Sequence, residues 1–153
     1  MPDVQPIPVD YPRVMPYLIV DGAAAAIDFY REVLGAQERL RVPGEDGRVA
    51  HAELQVGDAV VMLADPQPDR GVFAPGHFGG SPVSLMVYVE DVDATFAAAV
   101  ARGSTSVHDI EDQFYGDRSG TLTDPFGHQW TIASHVEDVS EEEMGRRMAE
   151  MGA

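Results

Sequence analysis

Apolar positions along this chain fall into short strand-like runs that flank helical stripes, and the pattern occurs twice. Pro16-Tyr17-Leu18-Ile19-Val20 reads as a strand beginning near Val14 and closed by Asp21-Gly22. From Ala23 to Leu34, Ala26, Ile27, Tyr30, Val33 and Leu34 lie on one helical stripe, with Gly35 placed to end the helix. Val49 to Val56 alternates as a half-buried strand. Ala59 to Leu63 is continuously apolar beyond the Gly57-Asp58 turn. Asp65 to Pro82, with four Pro and four Gly in 18 residues, breaks the pattern. The order then returns: strand Val83–Val89, helix Val92–Arg102 ended by Gly103, a poorer strand Ser106–Ile110, then strands Gly120–Thr123 and His128–Ala133.

This recurrence predicts two tandem βαβββ modules of the α+β class. Gly57 precedes one terminal strand as Gly127 precedes the other, which makes Thr121 and Thr123 the expected counterparts of His51 and Glu53. The expected divisions are an extended N-terminal arm (1–12) with four prolines, a first module (13–66), a Pro/Gly-rich linker (67–82), a second module (83–135) and an acidic helical tail (136–153), one structural domain overall. In that tail Ser140 and Glu143 form a capping box, and Met144, Met148 and Met151 form a stripe. The stripe suits either packing on the protein itself or on a partner subunit, or a lid over ligand.

Charge and composition narrow the chemistry. Asp and Glu total 26 against ten basic residues, all Arg, for a net charge of −16. Such an excess repels nucleic acid and anionic membrane, and neither is expected as a partner. The absence of Lys removes Schiff-base chemistry, and the absence of Cys removes disulfides, thiolate metal sites and thiol nucleophiles. No run approaches the ~18 apolar residues of a membrane span. The N-terminus lacks the features of a signal peptide, so a cytoplasmic location is the simplest expectation.

Several segments resemble the vicinal oxygen chelate superfamily, which includes glyoxalase I, bleomycin-resistance proteins and extradiol dioxygenases. The carriers are the tandem modules, Ala26-Ile27-Asp28-Phe29-Tyr30, Leu34-Gly35-Ala36, and Asp124-Pro125-Phe126-Gly127-His128 before the last strand. Asp112 to Arg118 and the tail His135 to Met151 are most similar to the PhnB-like branch. The resemblance implies a curved mixed sheet whose paired modules form a cup, and a homodimer. It also implies metal ligands at positions corresponding to Met15, Val61, Ser84 and Thr131. None of these suits a divalent ion, which takes imidazole or carboxylate, so no metal and no cofactor are expected.

Strand alternation gives the expected lining of the cup. Met15 and Tyr17 come from the first strand, His51 and Glu53 from the alternating strand, and Ser84, Met86 and Tyr88 from the first strand of the second module. Thr121, Thr123, Gln129 and Thr131 come from the last hairpin, with Trp130 in the core. Tyr115 and Arg118 sit at the rim, where Arg118 pairs either with an anionic ligand group or with Asp117. The mixed surface suits a small, partly apolar organic molecule bound as in bleomycin-resistance proteins. The alternative is a lyase or isomerase that uses His51 and Glu53, with or without a recruited divalent metal. The acid excess disfavours strongly anionic ligands unless Arg118 or another Arg reaches the cup.

Overall fold

The computed structural model describes residues 3–152; Met1, Pro2 and Ala153, at the ends of the expected arm and tail, lie outside the described residues. The chain divides into two compact units, one ending at Gly80 and one beginning at Ser81. The first contains β1 (Tyr17–Ile19), α1 (Ala23–Leu34), β2 (Gln37–Pro43), β3 (Val49–Val56) and β4 (Ala59–Ala64). The second contains β5 (Ser84–Tyr88), α2 (Val92–Ala101), β6 (Thr105–Asp112), β7 (Asp117–Thr123), β8 (Gln129–His135) and α3 (Glu141–Gly152). Each unit builds its own four-stranded mixed sheet, ordered β1-β4-β3-β2 and β5-β8-β7-β6. The α+β class and the tandem βαβββ modules are therefore present.

In the first unit, Leu18, Ala52, Leu54 and Leu63 line one sheet face, and Ala23, Ala26, Ile27 and Tyr30 of α1 are buried. Fully burying a side chain such as Leu54 or Ile27 is worth about 1.5–3 kcal/mol. In the second unit α2 comes close to its sheet at Gly120. A Cβ there would stand 2.8 Å from the Phe96 ring and 2.9 Å from Ile110. One face of each sheet is thus helix-covered, and alternation sends the other residue set to the opposite face.

Strand β2 left no trace in the hydrophobic pattern. It pairs only with β3, and every residue in it is exposed. Without a buried face there is no reason for apolar residues to alternate, and two register shifts blunt its edge. Residues 67–82 contain two short helical turns, Pro68–Arg70 and Pro75–Phe78, and Pro75 is buried. The carboxylate of Asp65 accepts three backbone hydrogen bonds, from Gly22 (2.9 Å), Ala23 (3.0 Å) and Val49 (2.7 Å). It supplies, from the position just after β4, the cap that α1 lacks locally, because Gly22 has no side chain to offer. In the second unit Asp91 caps α2 directly, and Ser134 Oγ accepts from the Val92 N–H.

Candidate functional site

The pairing register decides which side chains share a helix-free face. In the first unit Tyr17 lies opposite Met62, and Met62 opposite Glu53. Tyr17, His51, Glu53 and Met62 therefore stand together. Val61 does not join them. It lies opposite Leu54 on the helix side and is buried, so its expected place on the binding face passes to Met62. The sequence of β4, Ala-Val-Val-Met-Leu-Ala, is apolar at every position and carries no alternation from which to read a phase.

On this face a chain of hydrogen bonds links four side chains. Tyr11 Oη–H donates to Glu53 Oε1 at 2.7 Å, His51 Nε2 lies 2.9 Å from Glu53 Oε2, and Tyr17 Oη lies 2.8 Å from His51 Nδ1. The Glu53 carboxyl is buried yet held below the usual carboxylate range. Its hydrogen bonds with His51 and then Tyr11 favour the ionised form over the opposing effect of burial. An ionised Glu53 makes Nε2 the donor, so a neutral His51 presents Nδ1 as an acceptor to the Tyr17 hydroxyl. Burial, and then the negative charge of Glu53, push the Tyr17 phenol upward. The expected pair His51/Glu53 is thus in contact, and Tyr17 closes its outer end. Tyr11, which the pattern did not single out, closes the inner one. Arg39 holds Tyr11 there, with its guanidinium 4.6 Å from the ring centroid and a hydrogen bond to the Asp10 carbonyl at 3.2 Å.

In the second unit Ser84, Met86 and Tyr88 lie opposite Gln129, Thr131 and Ala133, and Thr121 and Thr123 lie opposite Thr131 and Gln129. The alternation of β8 places Ala133 with Gln129 and Thr131, and the register brings all of these onto one face, as expected. The Thr121 and Thr131 hydroxyls are 2.9 Å apart. At the end of the same face, Tyr88 Oη–H donates to Asp117 Oδ2 at 2.7 Å, and Asp117 Oδ1 lies 2.9 Å from His135 Nδ1. The other ring nitrogen of His135 lies 2.7 Å from Asp138, so both nitrogens are engaged. Hydrogen bonds to Asp117 and then Asp138 raise the His135 pKa, which suits an imidazolium tie rather than a free base. Sequence reasoning missed Asp117 and His135 as members of this face. Extending the phase of Thr121 and Thr123 back along β7, and that of Gln129 and Thr131 forward along β8, reaches both.

Two further expectations are corrected. Arg118 is out of phase with Thr121 and binds Asp93 of α2 through two hydrogen bonds (2.8 and 2.9 Å), with Asp112 at 3.1 Å. Its charge is spent on the helix side of the sheet, and its partner is neither a ligand-facing group nor Asp117. The module counterparts also shift. The N–H of Val20 donates to Ala64 and that of Val89 to Ala133. Glu53 opposes Met62, and Thr121 opposes Thr131. Thr121 therefore corresponds to Glu53, and Ser119 to His51. The Asp124–His128 turn is longer than Gly57-Asp58, so glycines within the turns do not keep step with the strands. Tyr115 lies in the β6–β7 loop with its ring edge-on to Phe114, centroids 5.3 Å apart. Met15 precedes β1 and is half-buried.

The residues at the superfamily's metal positions are two thioethers (Met15, and Met62 in place of Val61) and two hydroxyls (Ser84 and Thr131). These do not fit a divalent ion, which requires imidazole or carboxylate donors. Among the described residues no group of three or more His, Asp or Glu side chains is placed to hold a metal. No helix among them is long and apolar enough to cross a membrane.

The Asp124-Pro125-Phe126-Gly127-His128 turn has a structural basis. Asp124 accepts the N–H groups of Phe126 and His128 at 2.9 and 3.0 Å and the indole N–H of buried Trp130 at 2.9 Å. Such a turn, in tandem βαβββ modules whose helix-free faces carry polar chains, defines an α+β protein of the paired-module type. The chain belongs to the Glyoxalase/Bleomycin resistance protein/Dioxygenase superfamily, whose family model matches residues 11–132. It is 42% identical over 144 residues to an uncharacterised protein of Mycobacterium bovis, a match covering 92% of this chain and 95% of that one. Its fold is similar to that of a Pseudomonas aeruginosa protein (TM-score 0.68, 23% identity, covering 82% of this chain and 99% of that one). A PhnB protein from Bacillus cereus is also similar in fold (TM-score 0.64, 19% identity, covering 80% of this chain and 99% of that one).

Proposed function

We propose that the protein binds a small, partly apolar organic molecule on the helix-free faces of its modules, without the superfamily's metal. The observation that carries this reading is the donor set: thioethers and hydroxyls occupy the metal positions, on faces that also expose Tyr17, Met86 and Tyr88. Apolar surface with a few oriented hydroxyl, imidazole and carboxylate groups is the composition of a small-molecule site. Equilibrium binding to a panel of aromatic natural products, with metal analysis of the purified protein, tests it. The expected result is a metal-free protein that binds one compound class, with His51→Ala weakening that binding about tenfold. Stoichiometric zinc, nickel, manganese or iron in the protein would overturn the metal-free part.

A second reading is favoured by the Tyr17–His51–Glu53 chain. Glu53 fixes the imidazole tautomer, and a substrate group replacing the Tyr17 hydroxyl would meet His51 Nδ1 as a general base. This is the arrangement a lyase or isomerase needs. A divalent ion recruited by His51 and Glu53 would still need a third ligand from elsewhere. Turnover that is lost in both His51→Ala and Glu53→Gln, with ligand affinity retained, would select this reading over simple binding.

We take the active form to be a cytoplasmic homodimer. The support is the habit of the superfamily and the exposed Met148 and Met151 of α3. Sedimentation equilibrium should give twice the 16.5 kDa chain mass. A single-chain mass at micromolar concentration would remove the dimer.

A further inference from the structure

The N-terminal arm contributes to the first module in a way that its composition alone does not reveal. Tyr11, on the arm, is hydrogen-bonded to Glu53, so the arm runs over the helix-free face. Between arm and sheet lies a pocket of about 420 Å³, lined by Ile7, Pro8 and Pro12 of the arm, by Met15 just before β1 and by Met62 of β4. That volume lies within the range of about 300–1,000 Å³ typical of small-molecule sites. The walls are prolines, aliphatic groups and thioethers, and the Tyr11 ring backs them. Proline restricts the arm before any ligand arrives, which lowers the entropic cost of presenting such a wall.

Arg13 also lines this pocket. Most other arginines are committed: Arg41, Arg48, Arg118, Arg146 and Arg147 each pair with carboxylates, and Arg39 lies on the Tyr11 ring. Arg13 is exposed, and among the described residues it has no hydrogen bond or ion pair. A free guanidinium at the mouth of an apolar pocket is placed to fork onto a carboxylate, sulfonate or phosphate group. The ionised Glu53 beneath, already accepting from Tyr11 and His51, repels any second negative charge carried deeper.

We propose that the arm and the first sheet form a binding pocket for a small apolar molecule bearing a single anionic group, with Arg13 pairing with that group. The proposal deepens the small-molecule reading above and rests on it. It also reverses the ligand charge that the net charge of −16 suggests, because the local cation, not the summed charge, meets the ligand.

Two fluorescent probes of matched body test it on the full chain: anilinonaphthalene sulfonate and the uncharged phenylnaphthylamine. The sulfonate should bind more tightly to the wild type. Arg13→Gln should weaken the sulfonate about tenfold or more and leave the neutral probe nearly unchanged. The exposed position of Arg13 makes loss of folding an improper explanation for such a selective effect. Methyl NMR on the same samples should show Met15 and Met62 shifting with either probe. Equal affinity for the two probes, an Arg13→Gln variant that still prefers the sulfonate, or Met15 and Met62 methyls that do not move would each overturn the pocket. If a probe binds but shifts only Met86, the arm site falls while the broader binding reading stands. If neither probe binds, the arm site falls, and the compound panel judges the broader reading separately.

Discussion

Asp65→Ala is expected to destabilise the protein by about 2–4 kcal/mol, lowering Tm by roughly 10 °C. Its two carboxylate oxygens divide their work. Oδ1 accepts from Gly22 and Ala23 at the start of α1, and Oδ2 accepts from Val49 at the start of β3. Alanine leaves three backbone donors without this acceptor, two of the bonds being buried, and removes a negative charge from the helix N-terminus. Asp65→Asn should fall between the two, because one oxygen remains for α1 while an amide donor faces the Val49 N–H. Burial pushes the Asp65 carboxyl up, but the hydrogen bonds from Val49, Ala23 and Gly22 outweigh it and leave the pKa below its ordinary value. A carboxyl lowered in the folded state stabilises the protein fully above the unfolded pKa, about 4. That contribution is lost as pH falls through the lower folded value. The stability gap between wild type and Asp65→Asn should therefore be constant near neutrality and shrink below about pH 4. Thermal melts from pH 7 to pH 3 read this directly, and a gap that widened in acid would contradict the assignment.

Gly116→Ala is expected to cost a similar amount, about 2–4 kcal/mol, through a different cause. Gly116 has φ +103, a region where a side chain is strained. A Cβ there would overlap the carbonyl oxygen of Glu137 and crowd Val139. The Gly116 carbonyl meanwhile accepts the N–H groups of Val136 and Glu137 at 2.9 and 3.0 Å. Relief of the overlap therefore requires the 136–139 segment to leave its hydrogen bonds. That segment is also tied by Arg147, which binds the Phe114 carbonyl and Glu137. Chemical denaturation should register the loss, and hydrogen exchange at Val136 and Glu137 should accelerate first. Gly145→Ala is the matched control: it lies in α3, has open space around its Cβ position and no positive φ, and should be neutral or slightly stabilising.

Much of the fold was legible because its signals are local. The stripe of α1, the alternation of β3 and the apolar/polar phase of β7 and β8 each follow from one face being covered and the other not. Strand β2 was not legible, since an edge strand exposed on both faces has no hydrophobic period to display. The phase of β4 was not legible either, because six apolar residues in a row permit two phases. That ambiguity put Val61 where Met62 stands. The contact between His51 and Glu53 could be read from their spacing on one strand. Their long-range partners could not: Tyr11 reaches Glu53 across 42 positions and Tyr17 reaches His51 across 34.

The sequence by itself determined the class of fold, the repeated module and the chemistry excluded by the absence of Lys and Cys. These depend on residue identity and short-range period, which a linear chain carries in full; the poverty of metal donors is read at positions that only the family resemblance implies. Tertiary structure alone decided where isolated polar groups spend their charge. Arg118 was a candidate for an anionic ligand until the register turned it toward Asp93 and Asp112, and Arg13, the residue just after the extended arm, carried no expectation until that arm crossed the sheet. A side chain's partner depends on strand register and on how distant segments meet. Neither is encoded in any local period, so arginines that look alike in the sequence stand in a closed ion pair at one position and exposed beside a pocket at the other.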